Sequence, residues 1–226
     1  MNIKMLKATL VGLALFVSGF ANAGLIEGFD ENSWGGDWSL GANGSISSAS
    51  AHDGSYGVYN PNSWIYNDSI ALSEGDIITS WFKFDNSGSG RFYLGYGADI
   101  TGAHSLVFGS NSSDTMWQDN PNYGYQGYDS LSFGWLSNSW YKAELNFGSN
   151  DSITGNLYGS DGSTLLRTMS TTRDYSGGAA IRGFGGVSID TICLNDCSIV
   201  DVPEPSTLAI FALGIMGLAS RRFKKQ

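Results

Sequence analysis

Apolar and polar residues alternate along several stretches of this chain with the period of a β-strand. In residues 76–84, Ile78, Phe82 and Phe84 share one face at a spacing of two. Residues 85–90 (Asp-Asn-Ser-Gly-Ser-Gly) read as a turn and 91–96 as the returning strand, so a hairpin is predicted. In residues 140–147, Tyr141, Ala143, Leu145 and Phe147 point inward, while Lys142, Glu144 and Asn146 point outward. Residues 152–158 and 164–168 flank Ser160-Asp161-Gly162-Ser163. Asp161-Gly162 is a hairpin signal, because glycine tolerates positive φ. Residues 184–194 read as one closing strand, and no amphipathic helix is predicted before the C-terminal segment. Many strands joined by short turns predict an all-β fold, an antiparallel β-sandwich.

The two ends follow another pattern. Lys4 and Lys7 precede an apolar or small-residue run over 8–20, and Ala21-Asn22-Ala23 then gives the spacing that signal peptidase accepts. Residues 1–23 are therefore expected to be a signal peptide, cleaved before Gly24. At the other end, Pro203-Glu204-Pro205 stops any preceding strand. An apolar helix over about 206–220 follows, then a basic cluster that the positive-inside rule keeps cytoplasmic. At ~1.5 Å per residue this helix is slightly short of a ~30 Å hydrocarbon core. A plain membrane anchor is the alternative reading of either run. The working domain is left as residues 24–201, long enough to bury a sizeable core.

Charge narrows the partners. Residues 24–202 hold six basic and twenty acidic side chains, a formal charge of −14. Such a surface repels phosphate backbones, so nucleic acid is not an expected partner. Glycine is abundant at 31 of 226 residues, and aromatics reach 13%. Disordered chains are poor in aromatics, so the composition fits short strands and tight turns instead.

Residues 202–226 resemble the PEP-CTERM sorting signal in its three ordered parts: Val-Pro-Glu-Pro-Ser-Thr, the apolar helix and the terminal Arg/Lys cluster. The resemblance implies processing by an exosortase near Pro203, Glu204 and Pro205. It also implies a transient inner-membrane anchor, a cell-envelope or extracellular destination and a host that makes extracellular polysaccharide.

The domain between the ends carries a second resemblance. Glu27-Gly28-Phe29-Asp30 with Trp34 and Trp38, residues 51–58 (Ala-His-Asp-Gly-Ser-Tyr-Gly-Val) and residues 187–194 (Val-Ser-Ile-Asp-Thr-Ile-Cys-Leu) resemble jelly-roll carbohydrate-binding modules. The run from Trp140 and the Asp161-Gly162 turn are similar to laminin-G-like sandwiches. This implies a jelly roll and a structural Ca²⁺ held by Asp30, by the chain around Asp53 and by Asp190. Ca²⁺ accepts such mixed carboxylate and carbonyl oxygens. Asp30 stands where those modules usually have Glu, which shortens the reach by one methylene. Ordinary solvated carboxylates are the alternative.

Three further readings come from the residues themselves. Residues 117–129 look like a loop in which Trp117, Tyr123, Tyr125 and Tyr128 alternate with amides and carboxylates. Aromatic faces stack on sugar C–H faces, so these four are candidate ligand contacts; the alternative is that they pack a long loop onto the sandwich. Cys193 and Cys197 are the only cysteines, and in an oxidising compartment they are expected to pair. Two free thiols are the alternative. His52 and His104 are the only histidines and no nucleophile elbow is present, so no enzyme is expected. The chain reads as an exported, non-catalytic protein that binds extracellular polysaccharide. A structural or adhesive matrix protein is the alternative, and a glycoside-active enzyme a more distant one.

Overall fold

The computed structural model describes residues 24–35, 37–40 and 44–195. The expected signal peptide, Cys197, the Pro203-Glu204-Pro205 motif and the apolar tail lie outside the described residues. Strands are numbered in chain order, and all pair antiparallel in two sheets. One sheet runs β13 (Leu165–Thr172), β12 (Ser152–Tyr158), β11 (Trp140–Phe147), β6 (Ile77–Phe84), β15 (Val187–Leu194), β4 (Gly57–Tyr59) and β3 (Ser45–Ser47), with β1 (Gly24–Glu27) also on β15. The other runs β10 (Gln126–Ser132), β9 (Asp114–Pro121), β8 (Gly102–Gly109), β7 (Arg91–Asp99), β14 (Gly178–Phe184), β5 (Ile65–Asn67) and β2 (Ser39–Leu40).

The core lies between the sheets and is built by the alternation of the strands. β6 buries Ile78, Ser80, Phe82 and Phe84, and β11 buries Tyr141, Ala143, Leu145 and Phe147. Phe82 sits at the centre, with ring centroids 4.8 Å from Phe92 and 4.9 Å from Phe108 of the facing sheet. It also meets Tyr141 at 5.7 Å and Trp135 at 5.8 Å. A second buried cluster, including Trp64, Tyr93, Val107 and Met116, forms on the seven-stranded sheet.

Two sequence expectations change. Residues 76–84 and 91–96 do not form a hairpin: β6 pairs with β11 and β15, while β7 pairs with β8 and β14. The turn between them carries the chain from one sheet to the other. The closing strand is also divided. β14 ends at Phe184, and Gly185 and Gly186 at φ 74° and 85° turn the chain across the sandwich into β15. The hairpin expected from 152–158 and 164–168 forms, with β12 against β13, whose strand runs on to Thr172.

β15 lies inside its sheet, between β6 on one side and β4 and β1 on the other. Its end is clamped. The Asn195 N–H donates to the Ile77 carbonyl at 2.6 Å, and the Ile77 N–H donates back to Asn195 Oδ1 at 2.8 Å. Asn195 Nδ2 donates to Asp76 Oδ1 at 2.9 Å.

Gly178 marks a close approach of β14 to β5, where a Cβ would stand 1.9 Å from the Asn67 carbonyl oxygen. Gly178→Ala is expected to cost ~1–3 kcal/mol, as overpacking does in a tight interior. Urea unfolding measures it; an unchanged midpoint would show that β5 can yield.

Candidate functional site

The four aromatics of the 117–129 run do not share one exposed face. The run is not one loop but the end of β9, a tight turn and the start of β10. Trp117 points inward on β9 and is fully buried, edge-on to Tyr96 at 6.2 Å, so no ligand can stack on it. Tyr123 folds back on the seven-stranded sheet, stacked on Tyr66 at 5.7 Å and tilted on Trp64 at 5.5 Å. Tyr128 is half-buried beneath the Arg173 guanidinium, 4.4 Å above its ring. Tyr125 alone of the four is open to solvent, at 68%. Beside this run is a cleft of ≈ 390 Å³ lined by Asp99, His104, Asp119 and Gln126. Asp119 is tied there to His104 Nδ1 at 2.7 Å and to Arg173 Nε at 3.2 Å. Burial pushes its carboxyl upward, but Arg173 and His104 outweigh that and hold it below the usual range.

A denser constellation lies on the outer face of the eight-stranded sheet. Register sets it in rows across the strands. Asp190, Trp81, Lys142 and Tyr158 form one row. Thr79, Glu144, Asn156 and Thr168 form the next. Ser188, Lys83 and Trp140 lie on the other side. Four strands at ~4.8 Å spacing make each long row roughly 14 Å across.

Glu144 is the hub. Its Oε1 accepts from Asn146 Nδ2 at 2.9 Å, Asn156 Nδ2 at 3.0 Å and the Tyr158 hydroxyl at 3.0 Å. Its Oε2 lies 3.7 Å from Lys142 Nζ, and its side chain is 14% exposed. Burial pushes the carboxyl upward, yet the three donors and Lys142 together keep it below the ordinary glutamate value. The hub arises because β11 places Glu144 and Asn146 two apart, and β12 sets Asn156 directly opposite Glu144.

Aromatic rings adjoin the hub. The His52 ring stacks on Trp81 at 3.7 Å and 13° and meets Trp140 edge-on at 5.1 Å. His52 Nδ1 bonds Asp53 Oδ2 at 2.8 Å. Lys83 Nζ lies 5.0 Å over Trp140, and Lys142 Nζ lies 5.2 Å over Tyr158. Alternation assigned Lys142, Glu144 and Asn146 to the outer face. It missed the hub because Asn156 and Tyr158 come from β12.

The residues expected to hold Ca²⁺ are near one another, but as hydrogen-bond acceptors. Asp190 is fully buried. Its Oδ2 takes the N–H groups of His52 at 2.7 Å and Asp53 at 3.0 Å, and its Oδ1 takes that of Thr191 at 2.7 Å. Burial raises its pKa to about 6 against the pull of those three donors. Asp30 Oδ1 takes the Ser55 N–H at 2.8 Å. Among the described residues no three His, Cys, Asp or Glu side chains converge as a metal group. Each of these two carboxylates, Asp190 and Asp30, is thus already engaged by backbone N–H donors. Cys193 is buried on β15, and its expected partner Cys197 lies outside the described residues.

No curated protein matches the sequence. Among solved structures, the chain is similar to the carbohydrate-binding module CBM66 from Bacillus subtilis, with a TM-score of 0.52 and 12% identity over 71% of this chain and 96% of that one. It also matches the Caenorhabditis elegans galectin LEC-6, with a TM-score of 0.46 and 14% identity over 61% of this chain and 94% of that one. Identity this low speaks for the fold alone. The PEP-CTERM protein-sorting motif matches residues 201–225, which implies processing by an exosortase. The chain is thus an exported, envelope-sorted protein whose described domain is a jelly-roll β-sandwich.

Proposed function

We propose that the domain binds a neutral polysaccharide on the outer face of its eight-stranded sheet, without catalysis. The observation that carries this is the Glu144 hub, with Trp81 in the next row and Trp140 in the row beyond it on the same face. The hub fixes two amides and a hydroxyl in advance, so binding need not order them. Apolar ring surface next to a few fixed polar groups is the composition of a sugar site. The likeness to a protein named as a carbohydrate-binding module is consistent with it.

The choice of a neutral polymer rests on charge. Lys142 is paired with Glu144, and His52 with Asp53. The domain's charge of −14 repels polyanions at long range. The full chain, purified in mild detergent, is to be titrated against dextran, xylan, levan and alginate. Binding to at least one neutral polymer, weakened at least fivefold by Trp140→Ala, is the expected result. Binding to alginate alone overturns neutrality, and no binding to any polymer overturns the reading.

A further inference from the structure

The 52–55 turn has no regular structure to hold it. Among the described residues, no backbone carbonyl accepts the N–H groups of His52, Asp53 or Ser55. Two carboxylates take them instead. Asp190 Oδ2 accepts from His52 at 2.7 Å and Asp53 at 3.0 Å, and Asp30 Oδ1 accepts from Ser55 at 2.8 Å. The turn is pressed close: at Gly54, φ +64°, a Cβ would stand 2.3 Å from Asp30 Oδ1. Asp190 projects from β15 beside Trp81 of β6 and is wholly covered.

What this turn carries is His52, and its ring is the lid on Trp81. A backbone held at the His52 and Asp53 amides leaves the ring little choice of position. The carboxylates therefore act on the outer face without touching anything that would bind there.

We propose that Asp190 and Asp30 are positioning residues: their carboxylates clamp the 52–55 turn through its N–H groups, in place of a structural cation, and so fix the His52 ring on Trp81. That this position matters for a sugar rests on the function proposed above; the clamp itself does not.

The test uses the full chain in detergent, with Asp190→Asn and Asp30→Asn as separate variants. Asparagine keeps the shape but turns one oxygen into an N–H donor, which faces the turn with the wrong polarity. In the ligand-free protein the His52 ring protons should resonate upfield, from the ring current of Trp81 beneath them. Each variant should return them toward ordinary imidazole positions, a change that a general loss of stability does not produce in a chain still folded. Asp30 is exposed, so Asp30→Asn keeps the test alive if the buried Asp190→Asn fails to fold. EDTA should leave both the resonances and the melting curve unchanged, and Ca²⁺ added alone should shift neither. Neutral-polysaccharide affinity should fall at least fivefold in Asp190→Asn.

His52 resonances that stay upfield in both variants overturn the clamp. A melting curve or His52 resonance that responds to EDTA or Ca²⁺ overturns the replacement of a cation. Absence of binding by the unaltered chain to any neutral polymer overturns the glycan face and the positioning role with it, while the His52 resonances still report the clamp.

Discussion

Phe82→Ala is expected to take away a large share of the stability of the domain. Phe82 is fully buried where the sheets meet, with five aromatic rings between 4.8 and 5.8 Å from its own. Four of those rings come from β7, β8, β11 and the segment before β11, so the cavity would be lined by separate elements, three of them strands already held in a sheet. Such a cavity cannot collapse cheaply. A truncation of this kind costs ~3–5 kcal/mol, set against a total of ~5–15 kcal/mol for an ordinary domain. Urea unfolding followed by tryptophan fluorescence measures it. Lys83→Ala, one residue on and facing outward, should cost less than about 1 kcal/mol. Equal losses at both positions would contradict the inward–outward assignment of β6.

The second large effect is on the outer face. Glu144→Ala removes the acceptor shared by Asn146, Asn156 and Tyr158. The three donors lose their common partner, and the amides become free to rotate. Polysaccharide affinity is expected to fall at least tenfold, which is ~1.4 kcal/mol, with the fold retained. Because the donors and Lys142 hold the Glu144 carboxyl below its ordinary value, the hub stays ionised through mildly acidic solution. The sign follows from linkage. A depressed folded pKa stabilises above the unfolded value of ~4.3 and loses that contribution as pH falls through the folded one. The Glu144 contribution to affinity should therefore persist at pH 5 and be lost only below the ordinary glutamate range, whereas the Asp190 carboxyl, raised to about 6, titrates separately between pH 7 and 5. Loss of the Glu144 contribution, read as the affinity ratio of the unaltered chain to Glu144→Ala, already complete at pH 5 would show that Glu144 is not held in this way.

Much of the fold was legible because a strand between two environments advertises itself. The inward set of β11 and three of the four inward residues of β6 follow from alternation alone. The fourth, Ser80, is polar and gave no signal. The sheet to which a strand returns was not legible. Residues 85–90 announce a reversal, but a hairpin and a crossing between sheets need the same turn residues and the same inward aromatics. Phe82 and Phe92 face one another across the core, not along a sheet. Trp117 was misjudged because its neighbours are polar; Thr115, Trp117 and Asp119 in fact share one face of β9, and Gln118 and Asn120 are buried as well. The hub was the least legible feature. Glu144 and Asn146 are neighbours in sequence, but Asn156 and Tyr158 reach them only through the β11–β12 register, and His52 meets Trp81 only where the 52–55 turn folds over the sheet.

The position of β15 also decides how the domain bears load. A pull applied at the sorting motif enters the described fold at Asn195, the end of β15. That strand is flanked on both sides, and its terminal residue is bonded to Ile77 and Asp76. Tension along β15 shears two rows of backbone hydrogen bonds at once, where a strand at a sheet's margin would peel one bond at a time. Resistance of this kind is governed by the rate of unfolding. On the function proposed above, drag on a polymer held by the outer face would reach the sorting end through this doubly flanked strand.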